Sequence, residues 1–307
     1  MLGFLKFQAP PAPFDMRPHD LPLDIRAGNV RGSIAMVLAV GLFSVMDTCM
    51  KLLAADYPAL QVAALRGMTA LPLVAVWVLW RGRAGTLLRV RWSLHVLRAV
   101  LGIAMLALFA FGLKELPLTE AYTLFFIAPL LITAMSAVML KEKVNAARWT
   151  AIAVGFIGVL VVLRPTGAGM LSLSGLAILG AAVGYAVTAI TVRIIARTDS
   201  PESLVFWLTL MVALGAGAMA APNWVAMRLD DWPVVCALAV TGFLGQICIT
   251  EAFRHGEASA IAPYEYTALA WSLGIDFLLW QALPDRWTVA GAAIIVAAGV
   301  YLMRHER

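Results

Sequence analysis

The stretch "RWTAIAVGFIGVLVVLRP", residues 148–165, decides the fold of this chain. Between its two arginines it consists almost entirely of apolar residues, as a helix inside a lipid bilayer does. Crossing the hydrocarbon core, which is about 30 Å thick, takes roughly 20 predominantly apolar residues. The same opening triplet returns in "RWTVAGAAIIVAAGVYLMR", residues 286–304. The two stretches therefore predict membrane-spanning helices and an internal repeat.

Apolar segments of this kind follow one another along the whole chain. Of the 307 residues, 62% are hydrophobic and 13% are charged, whereas soluble domains contain about 45–50% apolar and about 25% charged residues. The connections are too short to hold a soluble domain. We therefore predict an all-α polytopic membrane protein with ten transmembrane helices, embedded in the lipid bilayer. The predicted spans are residues 32–53, 59–80, 93–113, 118–140, 146–163, 174–196, 203–221, 233–253, 259–282 and 287–303.

The returning Arg-Trp-Thr triplet divides the chain into two similar halves. We predict a flexible cytoplasmic N-terminal arm at residues 1–31, a first five-helix repeat at residues 32–163 and a second at residues 174–304. Because each repeat has an odd number of spans, the second copy must enter the membrane from the opposite side. Inverted repeats of this kind build transporters whose substrate site lies between the halves near the bilayer midplane. The sequence thus predicts two inverted repeats around a central cavity.

The net charge of +5 is distributed unevenly between the two sides of the predicted bundle. With the N-terminus in the cytoplasm, 16 of the 23 Lys and Arg residues fall in cytoplasmic loops or termini and 5 fall outside. Cytoplasmic loops carry an excess of Lys and Arg. We therefore expect a multi-pass protein of the cell inner (plasma) membrane with both termini in the cytoplasm. The basic charge reports orientation and predicts no nucleic-acid partner.

The sequence lacks the motifs on which many enzymes and ATP-driven pumps depend. It contains no Walker-type phosphate loop and no HExxH metal motif, and no serine stands in a G-x-S-x-G turn. We therefore predict no catalytic residue, no metal site and no cofactor, and we expect a protein that is not an enzyme. The alternative class is a membrane-embedded enzyme or a lipid-modifying protein, for which only generic hydroxyl groups are available.

Two acids interrupt the apolar segment at residues 257–283, "EASAIAPYEYTALAWSLGIDFLLWQAL". An ionisable residue at the centre of a membrane helix costs about 2.5–3.5 kcal/mol on insertion scales, so it usually faces a cavity or a partner. On a continuous helix, Glu265, Ser272 and Asp276 fall within about 20° of one line. We predict that this stripe lines water or the bundle interior. The alternative is that the acids only tie neighbouring helices together.

Depth in the membrane suggests partners for the charged residues. Asp47 in the first span and Arg66 in the second both lie about 9–10 Å from the outer end, at 1.5 Å per residue. By the same measure Arg98 and Glu265 lie at similar depth near the cytoplasmic end. Each pair is a candidate for electrostatic compensation within the cavity. The alternative is a fixed ion pair that supports the bundle.

Aromatic and hydroxyl side chains supply the remaining wall of the predicted cavity. Tyr122 and Phe126 share one side of the fourth span with Thr119, and Pro129 in the same span predicts a kink. Small-molecule sites are commonly apolar and aromatic with a few placed polar groups. Glycines suited to close helix packing, or to a dimer face, are Gly155, Gly158, Gly180, Gly184 and Gly291. The complete set of cavity candidates is Asp47, Arg66, Arg98, Tyr122, Phe126, Tyr185, Gln246, Tyr264, Glu265, Ser272 and Asp276.

Short motifs recur in a fixed order over residues 32–304. They are "MDTCMK" at residues 46–51, Arg66, "LTEAYTLFFIAPLL" at 118–131, "LKEKV" at 140–144, "APYEYTALAW" at 262–271 and "LPDRWTVAG" at 283–291. In order and spacing the chain resembles the drug/metabolite transporter superfamily, in its ten-helix EamA-type branch. The aromatic and broad-range amino-acid exporters look most similar. One departure is Ala282, where family members often carry a glutamate that would match Glu142.

The resemblance implies export of small organic metabolites by alternating access between the two sides of the membrane. The implied small-molecule substrates are amino acids, including aromatic ones, and similar metabolites. Drugs, nucleotide-sugars and S-adenosylmethionine are the alternative substrates within the same superfamily. The resemblance leaves the oligomeric state open, with a homodimer among the alternatives. Any role that depends on a second acid at the end of the ninth span does not transfer to this chain, because residue 282 is alanine.

Overall fold

The computed structural model describes residues 23–88, 90–112, 118–165, 172–281 and 286–306. Those residues form helices joined by short connections, without a β-strand among them. The α-helices are α1 (Leu23–Leu53), α2 (Ala59–Trp80), α3 (Trp92–Gly112), α4 (Leu118–Phe125), α5 (Ala128–Met135), α6 (Ala146–Leu163), α7 (Leu173–Ile195), α8 (Pro201–Ala220), α9 (Trp232–His255), α10 (Ala258–Ile261), α11 (Thr267–Trp280) and α12 (Arg286–Glu306). A π-turn at Ser136–Leu140 follows α5, and a 3-10 turn at Ala262–Tyr266 joins α10 to α11.

The helices have the length and composition that a membrane requires. Within the described part of the chain, eight helical stretches are long and apolar enough to cross a bilayer. The shorter apolar helix Trp92–Met105 in α3 and the broken helix over residues 258–280 account for the two remaining predicted spans. Because helices satisfy every backbone hydrogen bond within the segment, they suit a medium without water. The all-α polytopic fold with ten spans is confirmed.

The first helix begins earlier than the hydropathy predicts. Residues 23–31 were expected in the flexible arm, yet α1 starts at Leu23. The reason is tertiary packing, because glycines let the start of α1 approach the end of α9. A Cβ atom on Gly32 would lie 2.8 Å from the Cα of Gly256. Residues 1–22, which make up the rest of the predicted arm, lie outside the described residues.

Two spans are discontinuous, and each break occurs near a proline. The fourth span is interrupted between the end of α4 at Phe125 and the start of α5 at Ala128, with Pro129 in the first turn of α5. The ninth span passes from α10 through the 3-10 turn, which contains Pro263, into α11. Proline lacks the N–H of a helical hydrogen bond and clashes with the preceding turn. The predicted kink at Pro129 is therefore confirmed as a break, and a second break occupies the corresponding position of the other half.

The main helix pairs are α1 with α9, α3 with α7, α2 with α8 and α6 with α12. In the predicted repeat, the helices α1, α2, α3 and α6 of the first half correspond to α7, α8, α9 and α12 of the second. Exchanging each helix for its counterpart turns the α1–α9 pair into the α7–α3 pair and leaves the other two pairs unchanged, as an inverted repeat requires. The backbones of α6 and α12 approach each other at two of the predicted glycines, Gly158 and Gly291. A Cβ on Gly158 would lie 3.0 Å from the carbonyl oxygen of Gly291. Small residues at such crossings let backbones approach.

Successive spans run in opposite directions, so their connections lie at two ends of the bundle. We call the end with the start of α1 and the α2–α3, α5–α6, α7–α8 and α9–α10 connections the N-terminal face. The other end is called the opposite face. On the N-terminal face, the hydroxyl groups of Thr86 and Ser200 are 2.9 Å apart. On the opposite face, the hydroxyl of Tyr57 donates to Asp231 Oδ2 at 2.6 Å. Each contact joins a connection of one half to a connection of the other.

Candidate functional site

Aromatic rings from several helices meet near the two broken spans. Tyr122 of α4 contacts Phe126, with ring centroids 6.3 Å apart, and Phe126 contacts Tyr266 at 6.1 Å. A second branch joins Phe125 to Tyr185 of α7 at 5.8 Å. Tyr122 is 40% exposed. The broken spans thus place a continuous set of rings between the two halves, where Tyr122, Phe126 and Tyr185 were predicted to line a cavity.

Glu265 lies at the end of one branch of these rings. It is 9% exposed and accepts a hydrogen bond from the hydroxyl of Tyr185, with 3.1 Å between Oη and Oε1. Tyr185 is in α7 and Glu265 is in the 3-10 turn of the ninth span, so the bond ties that turn to α7. A buried carboxyl held by a tyrosine hydroxyl is a polar group within an otherwise aromatic region.

Asp47 and Arg66 interact across the first two helices, as their equal depth predicted. The two side chains are close enough for an electrostatic interaction with each other. The Arg66 guanidinium also lies over the ring of Phe43, with 5.9 Å from Cζ to the ring centroid. Asp47 is exposed and acts electrostatically on Tyr122 of α4 as well. A charge is costly in lipid, and each of these two opposite charges offsets part of that cost for the other.

Arg98 lies elsewhere, and the structure does not join it to Glu265, its candidate partner by depth. The guanidinium is buried, at 2% exposure, and its Nη1 donates to the carbonyl of Leu204 in α8 at 3.4 Å. Its Nε has no hydrogen-bond partner among the described residues. Equal depth did not produce a pair here, because Arg98 faces α8 whereas Glu265 faces α7.

Close to Arg98, His95 of α3 forms a buried pair with Asp199 in the α7–α8 connection, with 3.0 Å between Nε2 and Oδ2. Burial on its own would raise the pKa of the Asp199 carboxyl. Hydrogen bonds from the Arg91 backbone N–H, the Thr198 hydroxyl and His95 outweigh it and hold the pKa below its usual value. Asp199 is therefore a charged, fully engaged group that fixes the N-terminal face.

The remaining predicted residues have different positions. Tyr264 is buried, and its hydroxyl donates to the carbonyl of Gly299 in α12 at 3.1 Å, so it belongs to the helix interface. Ser272 is exposed and donates to the carbonyl of Ala268 in its own helix at 2.8 Å. Gln246 of α9 is half-buried. The side chain of Asp276 lies outside the described residues.

The predicted stripe of Glu265, Ser272 and Asp276 assumed one continuous helix. The 3-10 turn breaks the helical periodicity between the first residue of that set and the other two. Glu265 is therefore buried against α7, while Ser272 is exposed on α11. The stripe is wrong as a single face, because the proline-induced break rotates the two parts relative to each other.

Sequence reasoning missed a buried polar network on the N-terminal face. Its members come from both halves of the chain, and they are Asn29, Glu142, Arg148, Arg193, Glu257 and Ser259. The repeated Arg-Trp-Thr triplet and the "LKEKV" motif both contain members of this network, so the signal was present. It could not be interpreted, because the partners lie more than a hundred residues away along the chain.

Comparison with known proteins identifies the family. The profile of the EamA-like transporter family matches residues 30–164 and again residues 173–304. The chain belongs to the EamA-like transporter family. The two matched segments together cover most of the chain, and they divide it at the same place as the predicted repeats. Membership makes this a membrane transporter of small molecules, and the predicted EamA resemblance is confirmed.

Three curated relatives are similar over nearly the whole chain. The pseudopaline exporter CntI of Pseudomonas aeruginosa is 27% identical over 90% of this chain and 97% of its own length. A riboflavin transporter of Vibrio cholerae is 25% identical over 92% and 96% of the two chains. An S-adenosylmethionine uptake transporter of Rickettsia prowazekii is 26% identical over 91% and 94%. Their named substrates differ, so these matches support transport without selecting the amino-acid exporter subfamily.

A solved crystal structure has the same fold. It superimposes with a TM-score of 0.75 at 19% sequence identity, and the match covers 90% of this chain and 96% of the other. The likeness concerns the fold alone.

Proposed function

We propose that this chain exports a small metabolite carrying both an amino group and a carboxylate, an amino acid or a derivative of one, by alternating access. The proposed location is the inner membrane with both termini in the cytoplasm, which the excess of Lys and Arg on the N-terminal face supports. Two inverted five-helix repeats, at residues 32–163 and 174–304, would rock around the aromatic region. The symmetric helix pairing and the two broken spans support that arrangement.

The observation that carries this proposal is the charge pair beside the rings. Asp47 and Arg66 are coupled electrostatically, and no direct hydrogen bond or salt bridge joins these two described side chains. Both are therefore able to accept a partner of opposite charge. A zwitterion would offer its ammonium to Asp47 and its carboxylate to Arg66. Tyr122, which is exposed and interacts electrostatically with Asp47, would lie beside the substrate side chain.

The aromatic rings favour a substrate with an apolar or planar side chain. Tyr122 and Phe126 present ring surface at the break of the fourth span, and ring stacking adds about 0.5–1.5 kcal/mol beyond area burial. Of the relatives, the pseudopaline transporter is named an exporter and the S-adenosylmethionine transporter an uptake protein. Because the relatives are named for opposite directions of transport and for different substrates, both export and the amino-acid substrates are part of the proposal.

The test is competition for transport in proteoliposomes that contain the purified full chain. Labelled phenylalanine is the reporter, and the competitors are leucine, phenethylamine, phenylpropionate, riboflavin and S-adenosylmethionine. We expect leucine to compete and the two single-charge analogues to compete at least about tenfold less well, since each leaves one of Asp47 and Arg66 without a partner. The absence of phenylalanine flux, together with flux of labelled riboflavin or labelled S-adenosylmethionine into the same proteoliposomes, would replace the amino-acid proposal.

A matched pair of variants locates the site. Asp47→Asn removes the charge proposed to bind the ammonium and should raise the apparent KM for phenylalanine. Asp56→Asn removes a charge nine residues further along, in the α1–α2 connection, where Asp56 pairs with Arg228 at 3.6 Å. We expect the control to leave the KM unchanged. Equal effects of the two variants would place the ammonium elsewhere.

A further inference from the structure

The N-terminal face is closed by a buried network that crosses from one half of the chain to the other. We call the set Asn29, Glu142, Arg148, Glu257 and Ser259 the latch. Asn29 lies near the start of α1, Glu142 and Arg148 belong to the first half, and the last two residues belong to the second half, at the start of the broken ninth span. Asn29, Arg148 and Ser259 are at most 1% exposed. The latch therefore lies within the protein, and its bonds have little competition from water.

Glu142 holds the start of the ninth span directly. Its two carboxylate oxygens accept the backbone N–H groups of Ala258 and Ser259, each at 3.0 Å. Oε2 also accepts the hydroxyl of Ser259 at 2.9 Å, and Oε1 lies 3.8 Å from the guanidinium of Arg193. Hydrogen bonds to an ionised carboxylate are about twice as strong as neutral ones. One side chain of the first half thus makes three hydrogen bonds to the segment that leads to Glu265.

Arg148 completes the connection from the start of α6. Its Nη2 donates to Glu257 Oε2 at 2.5 Å, and its Nη1 donates to the hydroxyl of Ser259 at 2.8 Å. Asn29 of α1 both donates to Glu257 Oε2, at 3.3 Å, and accepts the Glu257 backbone N–H, at 2.8 Å. Glu257 is therefore held by α1 and α6 together, and opening this face requires all of these bonds to break.

The position equivalent to Glu142 in the second half is an alanine. The fourth and ninth spans both end in a non-glycine residue with left-handed backbone, Lys141 with φ 55° and Gln281 with φ 52°. The two positions are thus equivalent ends in the two halves. The residue after Lys141 is Glu142, whereas the residue after Gln281 is alanine. Alanine 282, which is outside the described residues, has no side-chain acceptor, so this position does not supply a carboxylate as Glu142 does.

We propose that the latch is one-sided: it biases the transporter towards the conformation with the N-terminal face closed, and its release is the step that opens this face. The bias follows from the carboxylate cap at the start of the ninth span. Closing the N-terminal face pairs the Glu142 carboxylate with that segment, whereas the equivalent position 282 carries no side-chain carboxylate. Glu142 and Arg148 are positioning residues in this scheme, since they act through the segment that carries Glu265. The role in transport rests on the proposed function, but the bias itself is measurable without a substrate.

The experiment measures a distance across the N-terminal face by electron spin resonance in nanodiscs. Cys49 is replaced by alanine, and Cys236 and Cys248 by serine. Spin labels are then attached at Lys143→Cys and Arg197→Cys. Both positions are exposed, the first beside Glu142 and the second one turn beyond Arg193. The parent protein should give mainly one short distance.

In this labelled background, Glu142→Gln keeps the size of the side chain but removes its charge. We expect it to raise the ratio of long-distance to short-distance molecules by at least about tenfold, which corresponds to about 1.4 kcal/mol. Ser259→Ala should produce a smaller shift in the same direction, because it removes the hydroxyl and leaves both backbone bonds. The control is Glu251→Gln on α9, whose partners Arg254 and His255 lie within its own helix, and it should change nothing.

Each outcome decides the question. Distance distributions that are the same in both latch variants and the parent protein overturn the latch. A shift of equal size in the Glu251→Gln control also overturns it, because surface charge alone would then explain the effect. If Glu142→Gln does not give monodisperse protein, Ser259→Ala carries the same decision. A shift in the latch variants without transport of any panel compound supports the latch and rejects the proposed substrate class instead.

Discussion

The hydrogen bond between Tyr185 and Glu265 is the contact that most directly connects the rings to the broken ninth span, and its energy can be measured. Tyr185→Phe removes only the hydroxyl and keeps the ring contact with Phe125, whose centroid is 5.8 Å away. The bond length of 3.1 Å is ordinary, and Glu265 is 9% exposed, so water offers little replacement. Hydrogen bonds between membrane helices contribute about 0.6 kcal/mol on average and up to about 1.7 kcal/mol. We expect a loss within that range.

Three backgrounds separate the hydrogen bond from other effects of the tyrosine. Tyr185→Phe is made in the parent protein, in Glu265→Gln and in Glu265→Leu, and the free energy of unfolding is measured by titration with denaturing detergent. Glutamine keeps an acceptor oxygen, so part of the cost should remain. Leucine keeps no acceptor, so the cost should fall to nearly zero. This design satisfies the requirement of a double-mutant cycle that a single substitution removes the interaction without creating another.

One result would refute the reasoning. If Tyr185→Phe costs the same in the Glu265→Leu background as in the parent protein, the hydroxyl does not stabilise the protein through Glu265. The ninth span would then be held to α7 by packing alone. Phenylalanine flux measured on the same variants shows whether the bond also matters for transport.

Further predictions concern topology, charge coupling and pH. A cysteine at Arg83 should react with an impermeant thiol reagent only from the cytoplasmic side, and labelling from outside intact cells would contradict the proposed orientation. Asp47→Ala and Arg66→Ala should show a coupling of about 0.6–1.7 kcal/mol in unfolding, whereas additive effects would mean that the two charges are independent. Asp199→Asn should destabilise the protein at neutral pH. The difference should begin to shrink below about pH 3.9, the ordinary pKa of an aspartate, and should disappear below the lowered pKa of the folded protein; a difference that stays unchanged into strong acid would be inconsistent with this. Glu265→Gln should keep measurable flux with a changed apparent affinity, and pH-independent flux with unchanged affinity would instead identify Glu265 as the proton carrier.

The sequence alone was sufficient for the class of protein and for most span boundaries. In a bilayer every backbone polar group must be paired within the segment, so apolar length translates directly into helices. The prolines were equally informative, because the missing N–H acts locally wherever the residue stands. The start of α1 was the exception among the span boundaries. It extends to Leu23 because Gly28 and Gly32 pack against the end of α9, a contact that hydropathy does not contain.

Only the tertiary structure decided which polar groups meet. Equal depth correctly suggested Asp47 with Arg66, yet the same argument failed for Arg98, whose neighbour is α8. Depth is a one-dimensional quantity that follows from counting residues, whereas a pair also needs the two helices side by side with facing sides. That lateral arrangement depends on how helix surfaces fit at residues such as Gly158, and on breaks that rotate one part of a span. The latch between Glu142 and Ser259 depends on both, since 117 residues separate its partners along the chain.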